Sequence, residues 1–147
     1  MPMIVKIKKI NQNAFLPEYK TLYSSGADLY ACLDNKLTVK NKEIMIIPTG
    51  ISIELPPGFE AQVRPRSGLA ARGIILPNSP GTIDSDYRGE IKVIVMNLSG
   101  TDFTINRHDR IAQLIIQKVE KAEFTESSAL SETARGEGGF GSTGIKN

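Results

Sequence analysis

Three stretches of the chain carry side chains whose types and spacing suit the binding of anions and rings. The first is Arg64-Pro65-Arg66-Ser67-Gly68-Leu69. With Ser67 as the N-cap of a short helix, unpaired N–H groups and a positive dipole end stand beside an arginine and a hydroxyl, which outlines a phosphate site. The same residues also read as an ordinary capped turn with solvated arginines. The second is Pro80-Gly81-Thr82-Ile83-Asp84-Ser85-Asp86-Tyr87-Arg88-Gly89, which reads as the tip of a hairpin leading into a strand. A carboxylate there, held near an electrophile, can take a proton from water; its alternative is a polar turn whose Asp residues bond their own backbone. Tyr87 sets an aromatic face beside Asp84 and so suits a ligand with a ring. The third is Arg135-Gly-Glu-Gly-Gly-Phe140-Gly-Ser-Thr143-Gly near the end of the chain. Successive glycine N–H groups can cradle an anion, Arg135 offers a bidentate cation, and Phe140 can stack on a base. A frayed tail has the same composition.

These glycines lack the lysine of a Walker A loop, and no G-x-G-x-x-G lies between a strand and a helix. His108 lies in the polar turn Asn106-Arg107-His108-Asp109-Arg110, and with no G-x-S-x-G elbow in the chain a catalytic triad has no nucleophile. Cys32 reads as a small buried apolar group. With three possible phosphate or base contacts and no other cofactor motif, a nucleoside triphosphate is the simplest common ligand.

The elements that must position these residues are strands. Val5 and Ile7 alternate with Lys6 and Lys8, Ile51, Ile53 and Leu55 with Ser52 and Glu54, and Phe59, Ala61 and Val63 with Glu60, Gln62 and Arg64. A period of two predicts strands with one dry and one wet face. Further strands are expected at Glu43–Ile47, Ile74–Leu76, Glu90–Leu98, Asp102–Ile105 and Ile111–Val119, separated by turn signals such as Pro56-Pro57-Gly58 and Ser99-Gly100. The single helix expected starts at Ser67 and stops at Gly73. Parallel α/β folds need longer crossover helices, so the pattern predicts an all-β barrel, sandwich or jelly roll.

The 147 residues suffice for one core, and 40% apolar content lets it form. The longest apolar run, Leu29–Leu33, is too short for a transmembrane helix or a signal-peptide core. A formal charge of +2 predicts neither a nucleic-acid coat nor a membrane-surface protein. One cysteine and one histidine predict no internal disulfide and no zinc cage, and fit a reducing, cytoplasmic setting. Residues 1–125 are expected to form the folded body. Residues 126–147, with five glycines and few apolar groups, are expected to form a flexible arm.

Five motifs in order give the chain a family resemblance: Ser25-Gly26-Ala27-Asp28-Leu29; Pro65-Arg66-Ser67-Gly68-Leu69-Ala70; Gly81-Thr82-Ile83-Asp84-Ser85-Asp86-Tyr87-Arg88-Gly89; Arg110-Ile111-Ala112-Gln113-Leu114-Ile115; and Arg135 to Gly144. The chain resembles the trimeric deoxyuridine triphosphatases (dUTP diphosphatases, dUTPases). The resemblance implies a jelly-roll-like (β-clip) subunit in a homotrimer, with active sites shared between subunits and closed by the C-terminal arm. It implies hydrolysis of dUTP to dUMP and pyrophosphate, which limits uracil incorporation into DNA and supplies dUMP for dTMP synthesis. Asp84 would deprotonate the water that attacks the α-phosphorus. Arg66, Ser67, Gly68 and Gln113 would hold the phosphates. Mg²⁺ would be chelated by the triphosphate, with Asp28 reaching its hydration shell. Arg135, Gly141, Ser142 and Thr143 would close over the phosphates, and Phe140 would cover the uracil. The hairpin Thr82–Lys92, including Ile83 and Lys92, would read the uracil edge with backbone groups, helped by the Asn78 amide. Tyr87, flat under the sugar, would exclude a ribose 2′-hydroxyl.

Three rivals remain at this stage. A dCTP deaminase shares the fold, but its glutamate acid/base would fall at Ile94, which cannot carry protons. A nucleotide-sensing module would not need Asp84, and a structural trimer would not need Arg135 or Phe140.

Overall fold

The computed structural model describes residues 3–141 and residue 144. In chain order the elements are β1 (Lys6–Lys9), β2 (Ala27–Tyr30), β3 (Leu37–Val39), β4 (Ile44–Pro48), β5 (Ile51–Glu54), β6 (Phe59–Arg64), α1 (Ser67–Ala70), β7 (Ile74–Ile75), β8 (Gly81–Ile83), β9 (Lys92–Asn97), β10 (Phe103–Ile105) and β11 (Arg110–Lys118). All ladders are antiparallel. A four-stranded sheet runs β2-β11-β6-β8 and a three-stranded one β4-β9-β7, with β1-β5 and β3-β10 as two-stranded pairs. The fold is all-β, as the period-two pattern predicts, and jelly-roll-like, as the family resemblance implies.

The inward residues of these sheets meet in one core that includes Leu29, Val39, Ile47, Ile51, Ile53, Val63, Ile74, Val93, Val95, Ile105, Ile111 and Leu114. Each such side chain contributes roughly 1.5–3 kcal/mol of burial free energy, which is how strands as short as two to six residues hold together around the nine-residue β11. Asn97 is fully buried yet satisfied. Its amide donates to the carbonyls of Val39 (2.8 Å) and Thr101 (2.7 Å), and its Oδ1 accepts from the Ser99 N–H (2.9 Å) and hydroxyl (2.8 Å). A central strand is thereby tied to β3 without an unpaired polar atom.

The structure departs from the sequence expectations in four places. Ser52, expected on a wet face, is 7% exposed, with Lys8 of β1 as its cross-strand partner. The N-cap of α1 is Arg66, with no side-chain cap; Ser67 is its first helical residue, and the helix is one turn long. Gly73 follows it with φ +81°, and a Cβ there would meet the Ser99 nitrogen at 2.8 Å. The segment Thr82–Lys92 is not a two-stranded hairpin: β8 pairs with β6 and β9 with β4 and β7, so it is a loop passing from one sheet to the other. Strands β3 and β8 lie outside the predicted strand ranges, although the equally short β10 lies inside one.

Between β4 and β5, Thr49 and Gly50 hold the following sheet in place. The Thr49 hydroxyl donates to the Ile91 carbonyl (2.6 Å), and the Gly50 N–H donates to Glu90 Oε1 (2.9 Å). Gly50 has φ +71°, and a Cβ there would lie 2.8 Å from both Ala14 Cβ and Cys32 Sγ. Cys32 is buried, and burial pushes its thiol above the ordinary range, so it stays protonated near neutral pH. Gly50→Ala combines left-handed strain with overpacking and should cost about 2–4 kcal/mol. Urea unfolding of the two proteins checks this; equal midpoints would show that the turn relaxes freely.

Candidate functional site

The predicted site residues gather in two concavities that share no residue. The first, about 320 Å³, is lined by Asn78, Thr82, Ile83, Asp84, Tyr87 and Lys92, with Ile46, Glu90 and Ile94 behind them. That volume suits a ring and a sugar. The second is lined by Asp28, Arg66, Ser67, Gly68 and Gln113, together with Lys20, Ser24, Ser25, Gly26 and Arg110.

Tight backbone packing shapes the first concavity. The Tyr87 N–H donates to the Asp84 carbonyl (3.1 Å), which closes a turn, and the Tyr87 hydroxyl donates to the Glu90 carbonyl (3.1 Å). The ring therefore lies across the loop. A Cβ on Gly89 would sit 2.3 Å from the Tyr87 hydroxyl oxygen and 2.4 Å from the carbon that bears it, so only glycine leaves room. A Cβ on Gly81 would lie 3.0 Å from Asn78 Nδ2. Glu90 is anchored through Gly50 and stands 3.7 Å from the Lys92 ammonium. Asp84 is exposed, and its carboxylate has no partner among the described residues. Ile94 lies opposite Ile46 in the β4–β9 ladder and brings no proton-transfer group to this wall.

The second concavity is built on β11. Gln113 pairs with Asp28 of β2 on one side and Arg64 of β6 on the other. Its amide donates to the Pro65 carbonyl (3.0 Å), and a Cβ on Gly26 would strike its Oε1 at 2.4 Å. Arg110 and Gln113 are three positions apart, so in a regular strand they would face opposite ways. A register shift between Arg110 and Ala112 reverses that parity and brings Arg110 onto the Asp28 side. Arg110 Nη1 then donates to Asp28 Oδ2 (3.0 Å), while Arg66 Nε lies 3.2 Å from Asp28 Oδ1 and Arg66 Nη1 donates to the Arg110 carbonyl (3.1 Å). Asp28 is only 9% exposed, and both of its oxygens face guanidinium groups. Lys20 bonds Glu18, which raises the ammonium's pKa and lowers the carboxylate's, so Lys20 remains a cation here. In α1, the Leu69 and Ala70 N–H groups both donate to the Arg66 carbonyl, while those of Ser67 and Gly68 have no protein acceptor among the described residues. No group of three or more His, Cys, Asp or Glu that could hold a metal occurs among the described residues.

Lys20, Ser24, Ser25, Arg110, Ile46 and Glu90 carried no role in the sequence reading. Ser25 and Arg110 stand inside recognised motifs, but the others gave no local signal. His108 is structural: its ring stacks on Phe15 (3.6 Å between centroids), and its Nε2 donates to the Asn13 carbonyl (2.8 Å).

Of the predicted arm residues, Arg135, Phe140 and Gly141 line neither concavity. Arg135 Nε donates to the Gly138 carbonyl (2.8 Å), and Phe140 is fully exposed with φ +50°. Ser142 and Thr143 lie outside the described residues. No strand or helix follows β11 among the described residues, and no described helix is long and apolar enough to cross a membrane.

An all-β chain that pairs a cation-rich concavity with a mostly apolar one carrying an exposed, unpartnered carboxylate has the parts of a nucleotide-phosphate hydrolase. The comparisons name the particular family. The dUTPase family model matches residues 12–144. The deoxyuridine 5'-triphosphate nucleotidohydrolase of Rickettsia felis is 59% identical over 143 residues, covering 96% of this chain and 97% of that protein. The Rickettsia bellii protein of the same name is 59% identical over 144 residues, covering 96% and 95%. The chain belongs to the dUTPase family. Among solved structures, a Staphylococcus bacteriophage 80alpha dUTPase with dUPNHPP superposes with a TM-score of 0.87 over 97% of this chain and 99% of that one, at 22% identity. A mutant dUTPase from phage phi11 of S. aureus, described for its structural Mg(II) ion, gives 0.79 over 88% and 99% at 18%. These two likenesses concern the fold.

Every hydrogen bond recorded from residues 121–141 stays inside the arm. Without ligand its amides should exchange at rates close to those of an unstructured peptide, while β9 and β11 stay protected. Hydrogen-exchange mass spectrometry reads this, and a protected arm in the free protein would refute it.

Proposed function

We propose that this chain hydrolyses dUTP, carried as its Mg²⁺ complex, to dUMP and pyrophosphate in active sites shared between the subunits of a homotrimer. The observation that carries this reading is the division of the site residues. The base-side group around Asp84 and Tyr87 and the phosphate-side group around Arg66 and Gln113 occupy separate concavities of one chain. A neighbour that brings its second concavity against the first completes one site. The exposed apolar face on β4, with Ile44 54% and Ile46 58% exposed, supports a covered surface there.

In this reading Asp84 takes a proton from the water whose oxygen attacks the α-phosphorus. The bond to the bridging oxygen of the β-phosphate breaks, and pyrophosphate leaves. Arg66, Ser67, Gly68 and Gln113 hold the phosphate oxygens, with the unpartnered Ser67 and Gly68 N–H groups as donors. Bound with the triphosphate, Mg²⁺ would supply charge neutralisation; Asp28, whose oxygens already face Arg66 and Arg110, is not assigned to it. Backbone groups of Thr82, Ile83 and Lys92, with the Asn78 amide, read the acceptor–donor–acceptor edge of uracil. Residues 126–147 form the closing arm: Arg135, Gly141, Ser142 and Thr143 lie over the phosphates, and Phe140 covers the base. The setting is cytoplasmic, consistent with the free thiol of Cys32.

Asp84→Asn should bind dUTP while losing about 10²–10⁴ in turnover, and deleting Thr133–Asn147 should cripple hydrolysis in a folded protein. Pyrophosphate release measures both effects. Mixing the two inactive variants should restore activity, because some mixed trimers unite an intact Asp84 with an intact arm. No recovery after proven subunit exchange would mean that each chain closes its own site.

Tyr87→Ala removes the face proposed to exclude a 2′-hydroxyl, and Gly89→Ala displaces the same ring. Both should raise kcat/KM for UTP relative to dUTP, by about 10-fold or more. Unchanged ratios in both would assign the discrimination to another group.

A further inference from the structure

We infer that Asp28 is a positioning residue for the phosphate side of the site, acting through Arg66, with Arg110 as the second partner that holds the carboxylate in place. The inference rests on the proposed phosphate role of that concavity. A carboxylate this deeply buried is costly unless paired, and here two arginines from separate segments pair with it: Arg66 beyond β6 and Arg110 at the start of β11. A guanidinium has N–H groups along three edges in a fixed plane, so two contacts define its orientation. Arg66 has both, from Nε to Asp28 and from Nη1 to the Arg110 carbonyl. Its remaining donors belong to a guanidinium that lines the concavity, where Lys20 and Arg110 supply further positive charge.

The sign of the Asp28 effect separates positioning from simple charge. Asp28 is an anion in the wall of a concavity proposed to receive an anion. Coulomb's law alone says that its removal tightens phosphate binding. If the carboxylate instead sets the plane of Arg66, its removal releases a long side chain and weakens binding. A place in the Mg²⁺ hydration shell makes a third forecast, because the effect would then appear only with the metal.

The test is calorimetric titration of the full chain with Mg²⁺-free inorganic tripolyphosphate and, separately, with dUMP. Asp28→Asn should weaken tripolyphosphate binding at least tenfold and change dUMP binding less than threefold. Arg66→Ala should weaken tripolyphosphate as much, and the double variant should be no worse than Arg66→Ala alone. Asp28→Glu, which keeps the charge and shifts it by one methylene, should lose tripolyphosphate affinity too, and it serves if the Asn variant does not fold. Unchanged or tighter tripolyphosphate binding in the Asp28 variants would overturn the positioning role, as would a loss seen only when Mg²⁺ is added. Failure of the unaltered protein to bind tripolyphosphate would instead overturn the phosphate reading of the concavity.

Discussion

The register of β11 between β2 and β6 is the constraint on which the cation-rich side of the molecule depends. The strand is the longest among the described residues, and its fourth residue Gln113 stands opposite Asp28 in one neighbour and Arg64 in the other. A slip of one residue would turn Gln113 and Asp28 to opposite faces. The irregularity at Arg110–Ala112 is as consequential, since it alone lets Arg110 share a face with Gln113 while Ile111 and Ala112 are both buried. The Asp28 carboxylate then joins three segments, and its two ion pairs offset the cost of keeping it from water.

The other concavity depends on close approach rather than on charge. Gly81 and Gly89 are the positions where a Cβ would meet the Asn78 amide and the Tyr87 ring, so two absent side chains define where two present ones lie. Behind them, the Thr49–Gly50 turn fixes Glu90 and Ile91 by hydrogen bonds from a hydroxyl and an amide. The loop that bears Asp84 thus leaves β8 in one sheet and enters β9 in another between two anchored ends. That arrangement gives the carboxylate a defined place while leaving it open to solvent.

The division of these two surfaces gives the C-terminal segment its meaning. Among the described residues the strands end at Lys118, and the residues from 121 on bond only among themselves, so this segment adds no hydrogen bond to the sheets of its own chain. The proposed subunit-shared site gives that segment, and the exposed apolar face of β4, a use that one chain alone does not.

The sequence by itself determined the fold class, because alternation at Phe59–Val63 and Ile51–Leu55 places apolar side chains on one face whatever the partner strand. It also determined the family and most of the candidate site, because Arg66-Ser67-Gly68, the stretch from Gly81 to Gly89 and the Arg135–Gly144 arm are contiguous and carry their chemistry locally. Tertiary structure decided what depends on pairing at long range. It made Arg66 rather than Ser67 the cap of α1, buried Ser52 on the face that alternation predicts to be wet, and turned an expected hairpin into a passage between sheets. It also brought Lys20, Arg110 and Asp28 together from widely separated positions. A strand's own sequence sets which residues share a face, but the register and its irregularities, set by neighbours far along the chain, decide what that face meets.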